Sequence, residues 1–243
     1  MRIRPIFLLM LVCMCNCFFS CTAQSSFGTN YLRLDKEIAM PGVKGRIDHM
    51  DVNLKEHIVY MAALGNNTLE VIDIVGDKLL HSIKGLDEPQ GVGYIPQHEE
   101  IVVANGGTGD CYFYNARTFE KVATVHLSSD ADDIRYDSVS RKIYVGYGKG
   151  GIAVIDADTH KQIVNVPLPA HPEGFQIDKQ LNRLYVNVPD AGITGVIDIT
   201  NMKPIAQWPN QNRSANFPMA IDPVLHNVFI GYRASCKCSC KSC

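Results

Sequence analysis

The stretch Ile143-Tyr144-Val145-Gly146-Tyr147-Gly148-Lys149-Gly150-Gly151-Ile152-Ala153-Val154-Ile155-Asp156 holds two apolar runs around a glycine-rich turn. Runs rich in β-branched and aromatic residues read as strands, and glycine supplies the positive φ that a tight hairpin needs. The first run recurs along the chain, as Val59-Tyr60-Met61-Ala62, Ile101-Val102-Val103-Ala104, Leu184-Tyr185-Val186-Asn187 and Val228-Phe229-Ile230-Gly231. From Val59 onward the offsets are 42, 42, 41 and 44 residues. The second run recurs as Val71-Ile72-Asp73, Phe113-Tyr114-Asn115 and Val196-Ile197-Asp198, at offsets of 42, 41 and 42. Two separate anchors holding one period mark a repeat protein.

Each unit adds two more short strands. In the first unit the pattern predicts strands near His49–Val52, over Ile58–Ala63, over Leu69–Ile74 and over Lys78–Lys84. Polar turns such as Asp156-Ala157-Asp158-Thr159 follow the third strand. Asp73, Asn115, Asp156 and Asp198 there are suited to bonding their own backbone in Asx turns. Four antiparallel strands per unit of about 40–45 residues is a propeller blade. The chain is therefore predicted to be an all-β propeller. Complete blades are expected at about 45–90, 91–132, 133–173 and 174–216, with a partial fifth at 217–233. A seven-bladed ring needs about 300 residues at this period. The expectation is an arc of about four and a half blades, truncated at the C-terminus, rather than a closed ring.

The composition agrees with a folded protein: 243 residues, 46% hydrophobic, 20% charged, formal net charge −2. That charge lacks the positive stripe a nucleic-acid partner requires. Arg2 and Arg4 precede an apolar run from Ile6 to Phe19, which reads as a signal peptide over residues 1–24. Cleavage before Cys21, with a lipid on that cysteine for outer-membrane attachment, competes with cleavage after Ala23. Either route places the chain outside the cytoplasm, in the periplasm or cell envelope. Eight of the nine cysteines lie near the ends, four by Cys21 and four from Cys236 to Cys243. The tail 234–243 reads as a segment outside the fold, and Cys111 as a small buried hydrophobe. No C-x-x-C-H is present, so haem c has no attachment site and no cofactor is expected.

Ile143-Tyr144-Val145, Leu184-Tyr185-Val186-Asn187 and the Val154-Ile155-Asp156 run followed by Asp158-Thr159 resemble the YVTN-type β-propeller repeat. The links Arg46-Ile47-Asp48-His49-Met50, Glu88-Pro89-Gln90-Gly91-Val92, Asp130-Ala131-Asp132-Asp133, His171-Pro172-Glu173-Gly174 and Asn216-Phe217-Pro218-Met219-Ala220 resemble its secreted bacterial YncE-like members. The likeness covers about residues 31–233. It implies an extracytoplasmic propeller and no particular activity.

In a four-stranded meander, successive connections alternate between the two ends. The links into each first strand and the turns between second and third strands therefore share one end, at the channel mouth. The candidate ligand-binding residues there are Arg46, Asp48, His49, Glu88, Gln90, Asp132, Arg135, His171 and Glu173. His49 and His171 suit a metal site with Glu88, Glu173 or Asp132, but no H-x-H or H-x-x-x-H sets two ligands on one element, so no metal is expected. Arg46 and Arg135 are placed either to grip a carboxylate or to pair with Asp48 and Asp133. Neither a nucleophile elbow nor a phosphate-binding loop in its strand–helix context occurs. The reading is a scaffold that binds a small molecule or a periplasmic protein. The alternative is a periplasmic oxidoreductase- or lactonase-like enzyme using the same mouth.

Overall fold

A computed structural model describes residues 33–234. The leader 1–24 with Cys21 lies outside the described residues, as does the cysteine tail from residue 235. The described residues fold as four consecutive four-stranded antiparallel meanders followed by a two-stranded hairpin. The first sheet is β1 (Met50–Asn53), β2 (Ile58–Ala63), β3 (Thr68–Asp73) and β4 (Lys78–Lys84). The second is β5 (Pro89–Ile95), β6 (Glu100–Asn105), β7 (Asp110–Asn115) and β8 (Lys121–His126). The third is β9 (Ala131–Asp137), β10 (Lys142–Tyr147), β11 (Gly151–Asp156) and β12 (Lys161–Pro167). The fourth is β13 (Phe175–Asp178), β14 (Arg183–Val188), β15 (Ile193–Asp198) and β16 (Lys203–Pro209). The fifth holds β17 (Ser214–Asp222) and β18 (Asn227–Ala234), and among the described residues β18 pairs only with β17. No described helix is long and apolar enough to cross a membrane.

The turns at one end share a single chemistry. Asn53 accepts from the backbone N–H groups of Lys55 and Glu56, Asp178 from Gln180 and Leu181, and Asp222 from Val224 and Leu225, all at 2.9–3.2 Å. Asp73, Asn115, Asp156 and Asp198 do the same after each third strand, as their position in the repeat predicts. The residue just before each second strand (His57, Glu99, Arg141, Asn182, His226) takes a positive φ of 50–58°. These local bonds set the hairpin register of each sheet without help from its neighbours.

In the first four sheets the second and third strands are largely buried, which is why they read as continuous apolar runs rather than alternating ones. The core is a series of layers between successive sheets. Tyr60, Leu69, Val71, Val92 and Ile101 join the first two. Phe113, Val102, Ile134 and Ile143 join the second and third, and Tyr144, Ile152, Phe175 and Leu184 the third and fourth. The first strands of consecutive sheets lie side by side, β1 by β5, β5 by β9, β9 by β13 and β13 by β17. The fourth strands are the exposed outer ones; β16 is exposed along its whole length.

Three first strands start earlier than the repeat arithmetic places them, at Pro89, Ala131 and Ser214. The expected blade limits at 90/91, 132/133 and 216/217 therefore fall inside strands. The breaks lie in the links 85–88, 127–130, 168–174 and 210–213. On the fifth sheet, Phe229, Val224 and Leu225 are exposed.

Candidate functional site

The links converge on a cavity of about 700 Å³ at the end of the sheets opposite the Asx turns. Backbone bonds set the incoming chain on the second strand of its own sheet. The Asp48 N–H donates to the Ala62 carbonyl at 2.9 Å, and the Ala62 N–H to the His49 carbonyl at 2.9 Å. In the fourth sheet the Glu173 N–H donates to Asn187 at 2.9 Å and the Asn187 N–H to Gly174 at 3.2 Å. The repeat thus delivers His49 and Glu173 to the same mouth by the same device.

Arg46 donates to Asp48 Oδ2 at 2.9 Å, and Arg135 donates to Asp133 and to the Ile134 carbonyl. Both arginines therefore form the pairs weighed from the sequence. Asp133 is buried, and its second oxygen accepts from the Phe175 N–H at 3.2 Å, tying the third sheet to the fourth. Burial pushes its carboxyl above the usual range, against the pull of Arg135 and His49. Gln90 reaches across from the second sheet to donate to Asp130 Oδ1 at 3.1 Å.

His171 Nδ1 lies 2.6 Å from the Gly148 carbonyl, which only accepts, so Nδ1 carries a proton. Its Nε2 is 3.6 Å from Asp132 Oδ2, and Asp130 Oδ2 is 3.5 Å from Nδ1. Burial alone would lower this imidazole's pKa, but Asp132, the Gly148 carbonyl and Asp130 outweigh it and raise it to about 9. Glu173 moves the same way for other reasons. Burial and the charges of Asp132 and Asp130 raise it to about 7, opposed by His171 and Arg233. Asp132 sits between two imidazoles, with its side chain only 7% exposed. Its Oδ1 is 3.9 Å from His49 Nδ1, and neither of these two buried atoms has a hydrogen-bond partner. His49 Nε2 faces Asp133 at 3.6 Å. His49 and Arg135 also line a second cavity, of about 500 Å³, with Tyr94, Tyr136 and Gln176.

Of the nine candidates, Arg46, Asp48, His49, Gln90, Asp132, Arg135, His171 and Glu173 line the mouth cavity. Glu88 does not. It is exposed, with a φ of 49°, and its backbone bridges two loops: the N–H donates to Asn67 Oδ1 and the carbonyl accepts from Gly106. The cavity also draws on Asp130, Phe217, Met219, Tyr232 and Arg233. The Arg233 guanidinium lies 3.8 Å over the Phe217 ring. Phe217 and Met219 carry no charge to point to a site, although the link Asn216–Ala220 marks their place, while Tyr232 and Arg233 stand at the end of the second strand of the fifth sheet. Among the described residues, no group of three or more His, Cys, Asp or Glu side chains is arranged to hold a metal ion.

No protein-family model and no curated sequence matches the chain. Among solved structures, it is similar to the hydrazine synthase of Kuenenia stuttgartiensis, with a TM-score of 0.67 and 13% identity. The match covers 80% of this chain and 56% of that one. At that identity the likeness concerns the fold alone, a β-rich, propeller-like arrangement of four-stranded sheets.

Proposed function

We propose that this chain is an extracytoplasmic, non-catalytic β-propeller scaffold whose mouth cavity binds a small molecule or a segment of a partner protein. In this reading the sheets are four blades and the first half of a fifth, set in an open arc and akin to the YVTN-type repeat. The supporting observation is the convergence of link residues from different sheets on one polar cavity, with a buried carboxylate oxygen at its floor left without a partner. Ligand sites favour such concave places, where a few polar groups converge. The test is a thermal-shift screen of small charged molecules against the wild type and Asp132→Asn. Stabilisation that the variant loses is the expected result; a screen with no ligand and no captured partner refutes the reading. A closed ring in a crystal structure of the single chain refutes the arc.

One observation favours the alternative of an oxidoreductase- or lactonase-like enzyme: a carboxyl raised to about 7 stands beside an imidazole raised to about 9. Groups tuned in this way suit proton transfer near neutral pH. Lactone hydrolysis or dye reduction that disappears in both His49→Ala and His171→Ala would establish it.

A further inference from the structure

We propose that the floor of the mouth cavity takes a small organic cation, a protonated amine, whose N–H groups donate to the carboxylates of Asp132 and Glu173. The proposal rests on reading this cavity as a ligand site and names the chemistry of its occupant.

The donors and acceptors at the cavity floor do not balance. The three arginines and His171 of the cavity already have protein partners. Arg46 is bonded to Asp48, Arg135 to Asp133, and His171 to the Gly148 carbonyl, while Arg233 lies on Phe217. Arg46 is 62% exposed, so water serves its remaining N–H groups at little cost. The shortage lies among the acceptors at the floor. Asp132 has a side chain more than nine-tenths buried that lines the cavity, and its Oδ1 accepts from nothing. A buried oxygen in that state bears the cost of its lost hydration with nothing to offset it. His49 Nδ1 is 3.9 Å away and 3.5 Å from Asp48 Oδ1; with the ring proton on Nε2, toward Asp133 at 3.6 Å, Nδ1 is an acceptor and one ammonium can meet it and Asp132 together. The terminal torsion of an aspartate is soft, so the carboxylate turns easily toward a donor. Glu173 faces the same space, with Phe217 and Tyr232 on the fifth sheet to cover an alkyl chain. An ammonium group donates three hydrogen bonds and accepts none, which fits this shortage; a carboxylate ligand would deepen it.

Glu173 adds a pH signature. It titrates near 7, facing Asp132, Asp130, His171 and Arg233. Amine binding should release a proton below that pH and strengthen as Glu173 ionises.

The experiment is calorimetric titration of the purified protein with propylammonium, with 1-propanol, propionate and Zn²⁺ as separate arms. Propylammonium is expected to bind and 1-propanol and propionate are not. Asp132→Asn and Glu173→Gln should each weaken it at least about tenfold. Glu173→Gln should also flatten the rise in affinity around pH 7, and this variant on the link keeps the test readable if Asp132→Asn unfolds. Arg117→Ala, at the opposite end of the sheets, should bind as the wild type does. Binding of propionate or Zn²⁺ where propylammonium fails overturns the amine and leaves the cavity as a ligand site. Amine binding that neither carboxylate variant changes overturns the assignment of the floor. No heat from any arm at millimolar concentration, with no hit in the thermal-shift screen, overturns both readings.

Discussion

Replacing Asp133 by alanine tests how the third and fourth sheets are held together. The side chain is 1% exposed and serves two partners, Arg135 and the Phe175 N–H. In the variant the buried Phe175 N–H loses its acceptor, which costs about 1–3 kcal/mol. Arg135 loses its carboxylate, but it is 32% exposed. Solvent screening therefore limits that loss to about 1 kcal/mol. Together the change destabilises the fold by about 3 kcal/mol. With a urea m-value of about 2–3 kcal/mol per M, the midpoint should fall by about 1 M. Asp133→Asn keeps an acceptor for Phe175 and should recover about half of the loss. Urea unfolding followed by tyrosine and tryptophan fluorescence reads both variants. A midpoint shift below about 0.3 M for Asp133→Ala refutes the reasoning. Equal losses in the two variants would show that charge, not the acceptor, joins the sheets.

Gly91→Ala puts a Cβ 2.1 Å from the Asp132 carbonyl and 2.9 Å from Ile134 Cγ1, so β5 and β9 must part. A loss of about 1–3 kcal/mol in the same urea assay is expected, as for overpacked cores. His171 has its pKa raised from 6.5 to about 9, so its stabilisation is complete below 6.5 and lost as pH rises toward 9. The melting temperature should fall across that window, and His171→Asn should flatten the fall. Glu173, raised from 4.5 to about 7, binds its proton more tightly in the folded protein, so it destabilises progressively as pH rises from 4.5 through 7. Glu173→Gln should remove that component of the melting curve's pH dependence. Cys111 is buried with its thiol pushed up to about 12. Peptide mapping after iodoacetamide treatment should find it unmodified in native protein and modified in urea.

The outer framework was legible because its signals are local. The strands predicted over Ile58–Ala63 and Lys78–Lys84 coincide with β2 and β4, and Asx acceptors stand where the repeat puts them. The first strands were harder to bound. Pro89-Gln90-Gly91 and Ala131-Asp132-Asp133 carry few β-forming residues. Contacts with the next sheet help hold them extended, such as the His49 N–H on the Gln90 carbonyl and the Tyr94 N–H on Asp51. Those contacts lie about one repeat away in sequence, where a local pattern does not reach. Glu88 lies outside the cavity in a link with a positive φ, a local backbone feature invisible in its residue type. The arginine pairs were legible because each partner stands two residues away on an extended chain, hence on the same face.

The split between polar first strands and apolar inner strands has a consequence for how such a protein changes over time. The hairpins close on themselves, and the layers between sheets depend mostly on second and third strands. Several side chains at the mouth hang on link segments that contribute little to those layers. Substitution there alters the lining of the cavity while the chassis keeps its dimensions. The same arrangement of sheets can therefore carry very different mouths, and a TM-score of 0.67 at 13% identity shows how little sequence the arrangement itself requires. The lining of the mouth is a matter of a few fittings, open to exchange one link at a time.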